Sequence, residues 1–179
     1  MNAMSDHDAA PAADSLPSMT PFREASIPKL SERASGLLTY RVAVDGEGAL
    51  HLSVVANQGG AYFSTEWVPF QRVRECLGDL MASGASFPTA RLLDAYHGRS
   101  VNNGGFLAAI LRHEGLLQAG DPPTRHRVSG DWDAWETAQH ELAASGVPLA
   151  SASSPSGVKG RRRGRRSRAT PSGDGHANT

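Results

Sequence analysis

Residues 38–54 read LTYRVAVDGEGALHLSV and decide the fold class. Apolar side chains occupy every second position on both sides of a central turn, which is the pattern of half-buried β-strands. The Asp-Gly-Glu-Gly segment between them, residues 45–48, consists of residue types that tolerate the positive φ of a tight turn. This stretch therefore predicts a β-hairpin.

The chain after the hairpin extends the predicted sheet. An Asn-Gln-Gly-Gly turn at 57–60 precedes residues 61–68, where Phe63, Thr65 and Trp67 fall on one face of an extended segment. A lone hairpin is marginally stable in water, so a third strand is expected beside it. We therefore predict a three-stranded antiparallel meander.

Helical patterns follow the strands. Residues 70–83 carry apolar side chains at i, i+3, i+4 and i+7 after a proline suited to a first helical turn. Shorter helices are predicted over 88–96, over 102–115 with an asparagine cap and a terminal glycine, and over 131–145. Residues 119–130 contain a Pro-Pro pair and are predicted to be a loop. The predicted fold is α+β, a small meander followed by three or four packed helices.

Composition predicts three parts in the chain. Residues 1–35 are rich in Ala, Ser, Pro and Asp without an apolar period, and residues 147–179 are rich in Ser, Pro, Gly and Arg. Such segments bury too little apolar surface to offset their ordering entropy. We therefore predict a disordered N-terminal arm over 1–35, a compact domain over 36–146 and a disordered basic tail over 147–179.

The formal net charge of zero conceals a strong asymmetry. The last 29 residues carry seven cations and one acid, a net charge of +6, whereas the first 150 carry 11 basic and 17 acidic side chains, a net charge of −6. The cations of the tail are Lys159, Arg161, Arg162, Arg163, Arg165, Arg166 and Arg168.

The dense arginine cluster indicates a polyanionic partner. Guanidinium groups pair bidentately with phosphate oxygens and stay charged at physiological pH. Because no aromatic residue interleaves the arginines, the tail is expected to contact phosphates without reading bases. The leading prediction is a nucleic acid, either DNA or RNA. The alternatives are an anionic membrane or acidic protein, a solubilising tail, and a tail that folds back onto the acidic body as an intramolecular shield.

Two helical motifs resemble nucleic-acid or anion sites but favour simpler interpretations. Residues 88–96 and 102–113 have the proportions of a helix–turn–helix, yet the crowded position that requires a small residue falls on Asp94. Residues 102–105, Asn-Asn-Gly-Gly, lack the Lys-Ser/Thr that completes a phosphate-binding loop. We therefore predict packed core helices, with the asparagines serving as caps.

No pattern in the sequence predicts catalysis, a metal or a cofactor. The single cysteine, Cys76, falls on the apolar face of a predicted helix, which favours a buried small hydrophobe over a nucleophile. The seven histidines stand at no metal-ligand spacing and are expected on the surface. We expect a protein that is not an enzyme.

Trp132 and Trp135 lie three residues apart on a weakly apolar predicted helix. Exposed aromatics often anchor interfaces, so the pair predicts an interaction face for a protein partner or a second copy of the chain.

Targeting signals are weak. No window approaches 18 consecutive apolar residues, so no transmembrane segment is predicted, and the N-terminus lacks the basic and apolar regions of a Sec signal. A single cysteine fits a reducing compartment. We expect a cytoplasmic protein, with secretion through a disordered N-terminus as an open alternative.

The sequence thus favours a non-enzymatic nucleic-acid-binding accessory or regulatory protein, with non-specific phosphate contacts from the tail. The alternative is a protein-interaction module, an acidic body with an exposed aromatic face and no nucleic-acid role.

Overall fold

The structure is a computed structural model that describes residues 18–31, 33–98, 100–146 and 149. It contains a four-stranded antiparallel sheet, several helices and a two-stranded sheet, so the predicted α+β class is confirmed. The elements in chain order are β1 (Thr20–Pro28), β2 (Leu37–Val44), β3 (Leu50–Asn57), β4 (Val68–Pro69), α1 (Phe70–Cys76), α2 (Gly78–Ser83), a 3-10 helix (Thr89–Ala95), α3 (Asn103–His113), β5 (Leu117–Ala119), β6 (His126–Val128) and α4 (Trp132–Ala144).

The predicted hairpin is formed by β2 and β3. The two strands pair antiparallel with Val42 opposite Leu52, and both side chains are buried. In the turn, one carboxylate oxygen of Asp45 accepts hydrogen bonds from the backbone N–H groups of Glu47 and Ala49 at 3.0 and 2.9 Å. The turn chemistry read from the sequence therefore sets the register of the central strands.

The predicted disordered arm over 1–35 is wrong for nine of its residues, because Thr20–Pro28 forms β1 along the whole of β2. Its own apolar pattern is weak, and Pro21 and Pro28 fall at its ends. Proline is tolerated there because β1 is an edge strand. Pairing with β2 rather than local propensity therefore forms this strand. The remainder of the arm up to residue 17 lies outside the described residues.

The predicted third strand over 61–68 is also wrong. Only Val68–Pro69 pairs with β3, while the residues before it are irregular. In this irregular segment, hydrogen bonds with side chains replace the backbone hydrogen bonds of a sheet. Asn103 Oδ1 accepts from the backbone N–H of Ser64 at 3.1 Å, and Ser53 Oγ donates to the carbonyl of Thr65 at 3.0 Å. This irregular segment is therefore fastened to both the sheet and α3.

The helices follow the sequence pattern with three corrections. The predicted helix over 70–83 is broken at Leu77 into α1 and α2, and the predicted helix over 88–96 is a 3-10 helix. The predicted loop over 119–130 contains β6, which pairs with β5. The last helix is confirmed, with Asp131 accepting the N–H of Ala134 at 2.9 Å as its cap.

Helix α3 is the centre of the domain. Eight of its eleven residues are buried. A Cβ at Gly104 would lie 2.6 Å from the carbonyl oxygen of Thr89, so only glycine lets α3 and the 3-10 helix approach this closely. A helix buried to this extent cannot enter a DNA groove, which agrees with the packed-core interpretation of the two helices.

A buried carboxylate connects the sheet to the helices. The side chain of Glu114, just after α3, is 4% exposed and accepts hydrogen bonds from Arg23 Nη1 and Trp135 Nε1, both at 2.8 Å, and from the Tyr40 hydroxyl. Arg23 also donates to Gln139 on α4 at 3.2 Å. Strands β1 and β2 are thereby tied to the end of α3 and to α4.

Burial alone would raise the pKa of Glu114, but the hydrogen bonds from Arg23, Tyr40 and Trp135 lower it below its usual value. Because the pKa is lower in the folded than in the unfolded chain, the resulting stabilisation is complete above the unfolded pKa of about 4.3. It is lost as the pH falls through the folded value.

Substitution of Glu114 by glutamine should lower the free energy of unfolding at pH 7 by about 3–5 kcal/mol, because Arg23 keeps a charge without its buried partner. The loss should shrink below pH 4. Urea denaturation at both pH values tests this. Glu47→Gln, in the exposed turn, is the matched control and should change stability by less than about 0.5 kcal/mol. A loss below about 1 kcal/mol at pH 7 for Glu114→Gln would contradict this role.

Candidate functional site

The predicted phosphate-binding cluster of the tail lies outside the described residues, so the structure leaves it a prediction. Its members are Lys159, Arg161, Arg162, Arg163, Arg165, Arg166 and Arg168.

The predicted exposed aromatic face is wrong. Trp132 is 3% exposed and stacks on Phe70, with ring centroids 5.4 Å apart and an interplanar angle of 20°. Trp135 is half-buried, with its ring 4.6 Å from Phe70, and donates its indole N–H to Glu114. The two rings therefore attach α4 to the core. The weak apolar pattern of α4 did not reveal this, because the two tryptophans supply most of its packing.

A groove of about 990 Å³ lies between five parts of the chain. They are the segment after β1 (residues 29–31 and 33–35), the turn after β3 (59–61), Thr89 of the 3-10 helix, the start of α3 (101–106) and the turn before β6 (123–126). Arg112, the penultimate residue of α3, also lines it. No sequence motif predicts this groove, because its lining comes from segments that are far apart in the chain.

The groove is lined by cations. Lys29, Arg33 and Arg112 contribute side chains to its wall, and none of the described lining residues is an aspartate or glutamate. Lys29 Nζ donates to the backbone carbonyls of Ser35 and Gln58, which fastens the segment after β1 to the end of β3. Among the residues that the structure describes, the groove lining therefore carries three cations and no carboxylate.

The other cations of the described domain are mostly paired. Carboxylates within 3.1 Å neutralise four arginines on other parts of the surface, namely Arg23, Arg41, Arg74 and Arg91. The cations without a carboxylate partner among the described residues are Lys29, Arg33, Arg72, Arg112, Arg125 and Arg127. Three of these six line the groove, and two more are chain neighbours of the groove-lining His126. Three of the described cations without a carboxylate partner therefore share the groove.

Arg112 and His126 form a fixed pair at the groove. Arg112 Nε donates to His126 Nδ1 at 3.1 Å, and its Nη2 donates to the carbonyls of Arg125 at 2.8 Å and Pro123 at 3.3 Å. Within the described part of the chain, Arg112 Nη1 makes no hydrogen bond. Burial lowers the pKa of Arg112. The guanidinium is therefore held in position with one nitrogen available to a ligand.

His126 is buried, 1% exposed, and was expected on the surface. Burial, followed by the charge of Arg112, lowers its pKa to about 4. The ring is therefore neutral at physiological pH. Because Nδ1 accepts from an arginine, Nε2 must carry the proton, and this atom has no partner among the described residues.

Two exposed apolar side chains line the same groove. The large hydrophobic residues that are exposed in the described domain are Leu30, Leu37, Tyr62 and Val101. Leu30 and Val101 line the groove, and Val101 is 81% exposed. Tyr62 is 78% exposed, and its carbonyl accepts hydrogen bonds from Asn102 at 3.0 Å and Ser100 at 3.3 Å. The groove therefore combines positive charge with exposed apolar surface.

The predicted asparagine caps of α3 are wrong. Asn102 has helical φ and ψ angles of −78° and −22°, and its side chain makes no capping bond. Capping requires an extended residue whose side chain turns back to the helix. Here Asn102 binds the carbonyl of Tyr62 and Asn103 binds the N–H of Ser64. Both side chains hold the irregular segment before β4 at the rim of the groove.

A second cavity, of about 400 Å³, is lined in part by the imidazole of His97, which contacts a carboxylate and an arginine. His97 Nδ1 lies 2.7 Å from Glu66 Oε1, and Arg72 Nη1 lies 2.6 Å from His97 Nε2. Glu66 also accepts the backbone N–H groups of His97 and Gly98 at 2.8 and 3.0 Å. With both ring nitrogens engaged, this arrangement holds the turn after the 3-10 helix.

The remaining candidate residues support no site. Cys76 is half-buried against the core, and burial raises the pKa of its thiol, as expected for a small hydrophobe. His51 is buried and bonds Asp45 at 2.9 Å, so it also departs from the surface prediction. In the described part of the chain, no three histidine, cysteine, aspartate or glutamate residues are grouped to hold a metal ion.

Comparison with known proteins adds no family. The chain matches no protein-family model, no curated protein and no solved structure. None of the helices that the structure describes is long and apolar enough to cross a membrane.

His126 should remain neutral down to about pH 4 in the folded protein. The unfolded chain takes up a proton near pH 6.5 that the folded chain does not, so this group lowers stability as the pH falls from 6.5 to 4. An NMR titration of the histidine rings tests this, with the urea-unfolded chain as the control. A folded-state midpoint near 6.5 for His126 would contradict the buried, neutral assignment.

Proposed function

We propose that the protein is a non-enzymatic, cytoplasmic nucleic-acid-binding accessory or regulatory protein. In this proposal the arginine-rich segment 159–168 and the cationic groove bind phosphates of the same nucleic acid. The observation that supports it is that three cations without a carboxylate partner among the described residues line one groove, while four arginines elsewhere on the described domain are neutralised by carboxylates.

The cations of the groove reduce the repulsion expected between the acidic domain and a nucleic acid. The first 150 residues have a net charge of −6, which would repel the polyanion that the tail attracts. Five of the acids, however, pair with arginines that do not line the groove, as in the Arg74 pairs with Asp133 and Glu136. A phosphate chain that follows the groove therefore meets cations first, despite the net charge of the domain.

The two cationic regions are close enough in the chain to act together. Twelve residues lie between Gly146, after α4, and Lys159. Such a segment spans at most about 45 Å when extended. A domain of this size has a radius of gyration of about 14 Å. The length of the linker therefore allows the tail to reach a nucleic acid held in the groove.

The alternative, a protein-interaction module, loses the aromatic face on which it rested. Trp132 and Trp135 are occupied by core contacts with Phe70 and Glu114. Two of the exposed apolar side chains that remain, Leu30 and Val101, line the groove together with Lys29, Arg33 and Arg112. The charge there favours a polyanionic ligand over an ordinary apolar protein surface.

Binding should show two separable electrostatic contributions. For mixed-sequence duplex DNA, seven tail contacts predict a slope of log K against log salt of about −6, to which the groove adds. A chain that ends at Val158 should keep only the groove contacts, with a slope on single strands of about −2. Fluorescence anisotropy over a salt series measures both slopes.

The controls separate the tail from the groove. Replacement of the seven tail cations by glutamine in the full chain should reproduce the truncation, whereas Arg91→Gln should change the slope little, since Asp79 already pairs with that charge. Absence of binding to DNA and RNA by the full chain at low salt would contradict the proposed function. If the slope of log K against log salt is unchanged by loss of the tail, the tail has no part in the proposed function.

A further inference from the structure

We propose that the groove binds single-stranded nucleic acid, with Tyr62 stacking on one base and Arg33 and Arg112 contacting the flanking phosphates. This inference rests on the proposed function and adds to it a preferred strand form and a residue that contacts bases.

Tyr62 is placed to stack. It directly follows the groove-lining Ala61, and its carbonyl is held by the side chains of Asn102, which also lines the groove, and Ser100. The backbone at this position is therefore fixed at the rim, while the ring remains 78% exposed. An aromatic ring on a fixed backbone beside a positively charged groove is the arrangement on which unpaired bases stack.

Arg112 supplies a pre-positioned phosphate contact. Three hydrogen bonds, to His126 Nδ1 and to the carbonyls of Arg125 and Pro123, fix the plane of its guanidinium. Nη1 makes no hydrogen bond within the described residues and lies on a side chain that lines the groove. A guanidinium held in this way loses little entropy when it binds a phosphate oxygen. Arg33, exposed on the segment after β1, adds a second cation to the same wall.

The shape of the domain favours a single strand over a duplex. Duplex reading requires a helix or β-ribbon that enters a groove of the DNA. Of the described helices at this site, α3 is largely buried and the 3-10 helix contributes Thr89 alone to the lining. The groove instead presents apolar side chains such as Val101 and Leu30 between its cations. Splayed bases bury apolar surface against such side chains, whereas paired bases do not expose their faces.

The test compares single-stranded and duplex oligonucleotides of the same mixed sequence with the full chain. Tyr62→Ala should weaken single-strand binding roughly 5- to 150-fold and duplex binding less than about two-fold, because one base loses its stacking partner. Tyr62→Phe should retain single-strand affinity within about two-fold, since the ring stacks without its hydroxyl. Circular dichroism and thermal melting should be unchanged for both variants, because the ring is exposed.

Charge variants complete the test. Arg33→Gln should reduce the magnitude of the single-strand salt slope by about 0.7, whereas Arg91→Gln, which removes the same charge outside the groove, should not. If wild-type chain binds nucleic acid but Tyr62→Ala and Arg33→Gln leave single-strand binding intact, this inference is wrong and the proposed function stands. If wild-type chain binds neither strand form, both fail. Equal displacement of the oligonucleotide by polyglutamate from wild-type and Tyr62→Ala chains would assign the groove to an acidic polypeptide and overturn the inference.

Discussion

The Glu114 carboxylate is the contact on which the arrangement of the domain depends. Three donors from three separate elements, Arg23 on β1, Tyr40 on β2 and Trp135 on α4, converge on one buried side chain just beyond α3. A buried charge is costly unless it is fully hydrogen-bonded, so each donor must be in place for the others to stabilise the fold. The edge strand β1 and the last helix α4 have weak apolar patterns of their own. Their hydrogen bonds to Glu114, from Arg23 and Trp135, hold them in place.

The same constraint positions the groove. Because Arg23 ties β1 to the end of α3, the segment that follows β1 is brought alongside the start of that helix, and Lys29 then fastens it to the carbonyl of Gln58. One arginine, Arg23, thus meets its carboxylate inside the domain, while Arg112 meets only carbonyls and an imidazole. Five acids of the described domain therefore pair with arginines, while three cations without a carboxylate partner among the described residues line the groove.

Local patterns predicted the hairpin, the α+β class and the last helix, because alternation, turn residues and helical spacing act within a few positions of the chain. They did not predict β1, whose partner lies across a turn, or the irregular segment before β4, where Asn103 replaces a ladder bond. Trp132 looked exposed because its partner, Phe70, is 62 positions away. The groove was not predicted either, because its lining residues are far apart in the chain. The Arg-His-Arg triplet at 125–127 was a weak indication of local positive charge.

The most direct test of the account is an amide NMR titration of the full chain with a single-stranded oligonucleotide. The account predicts that the shifts of the folded domain concentrate in residues 29–35, 59–62, 101–106 and 123–126, with Arg112 among them. It also predicts that resonances of α4 and the outer surface of the sheet stay still. Shifts confined to the arginine-rich tail, with the groove residues unchanged, would contradict the claim that the domain itself contacts nucleic acid.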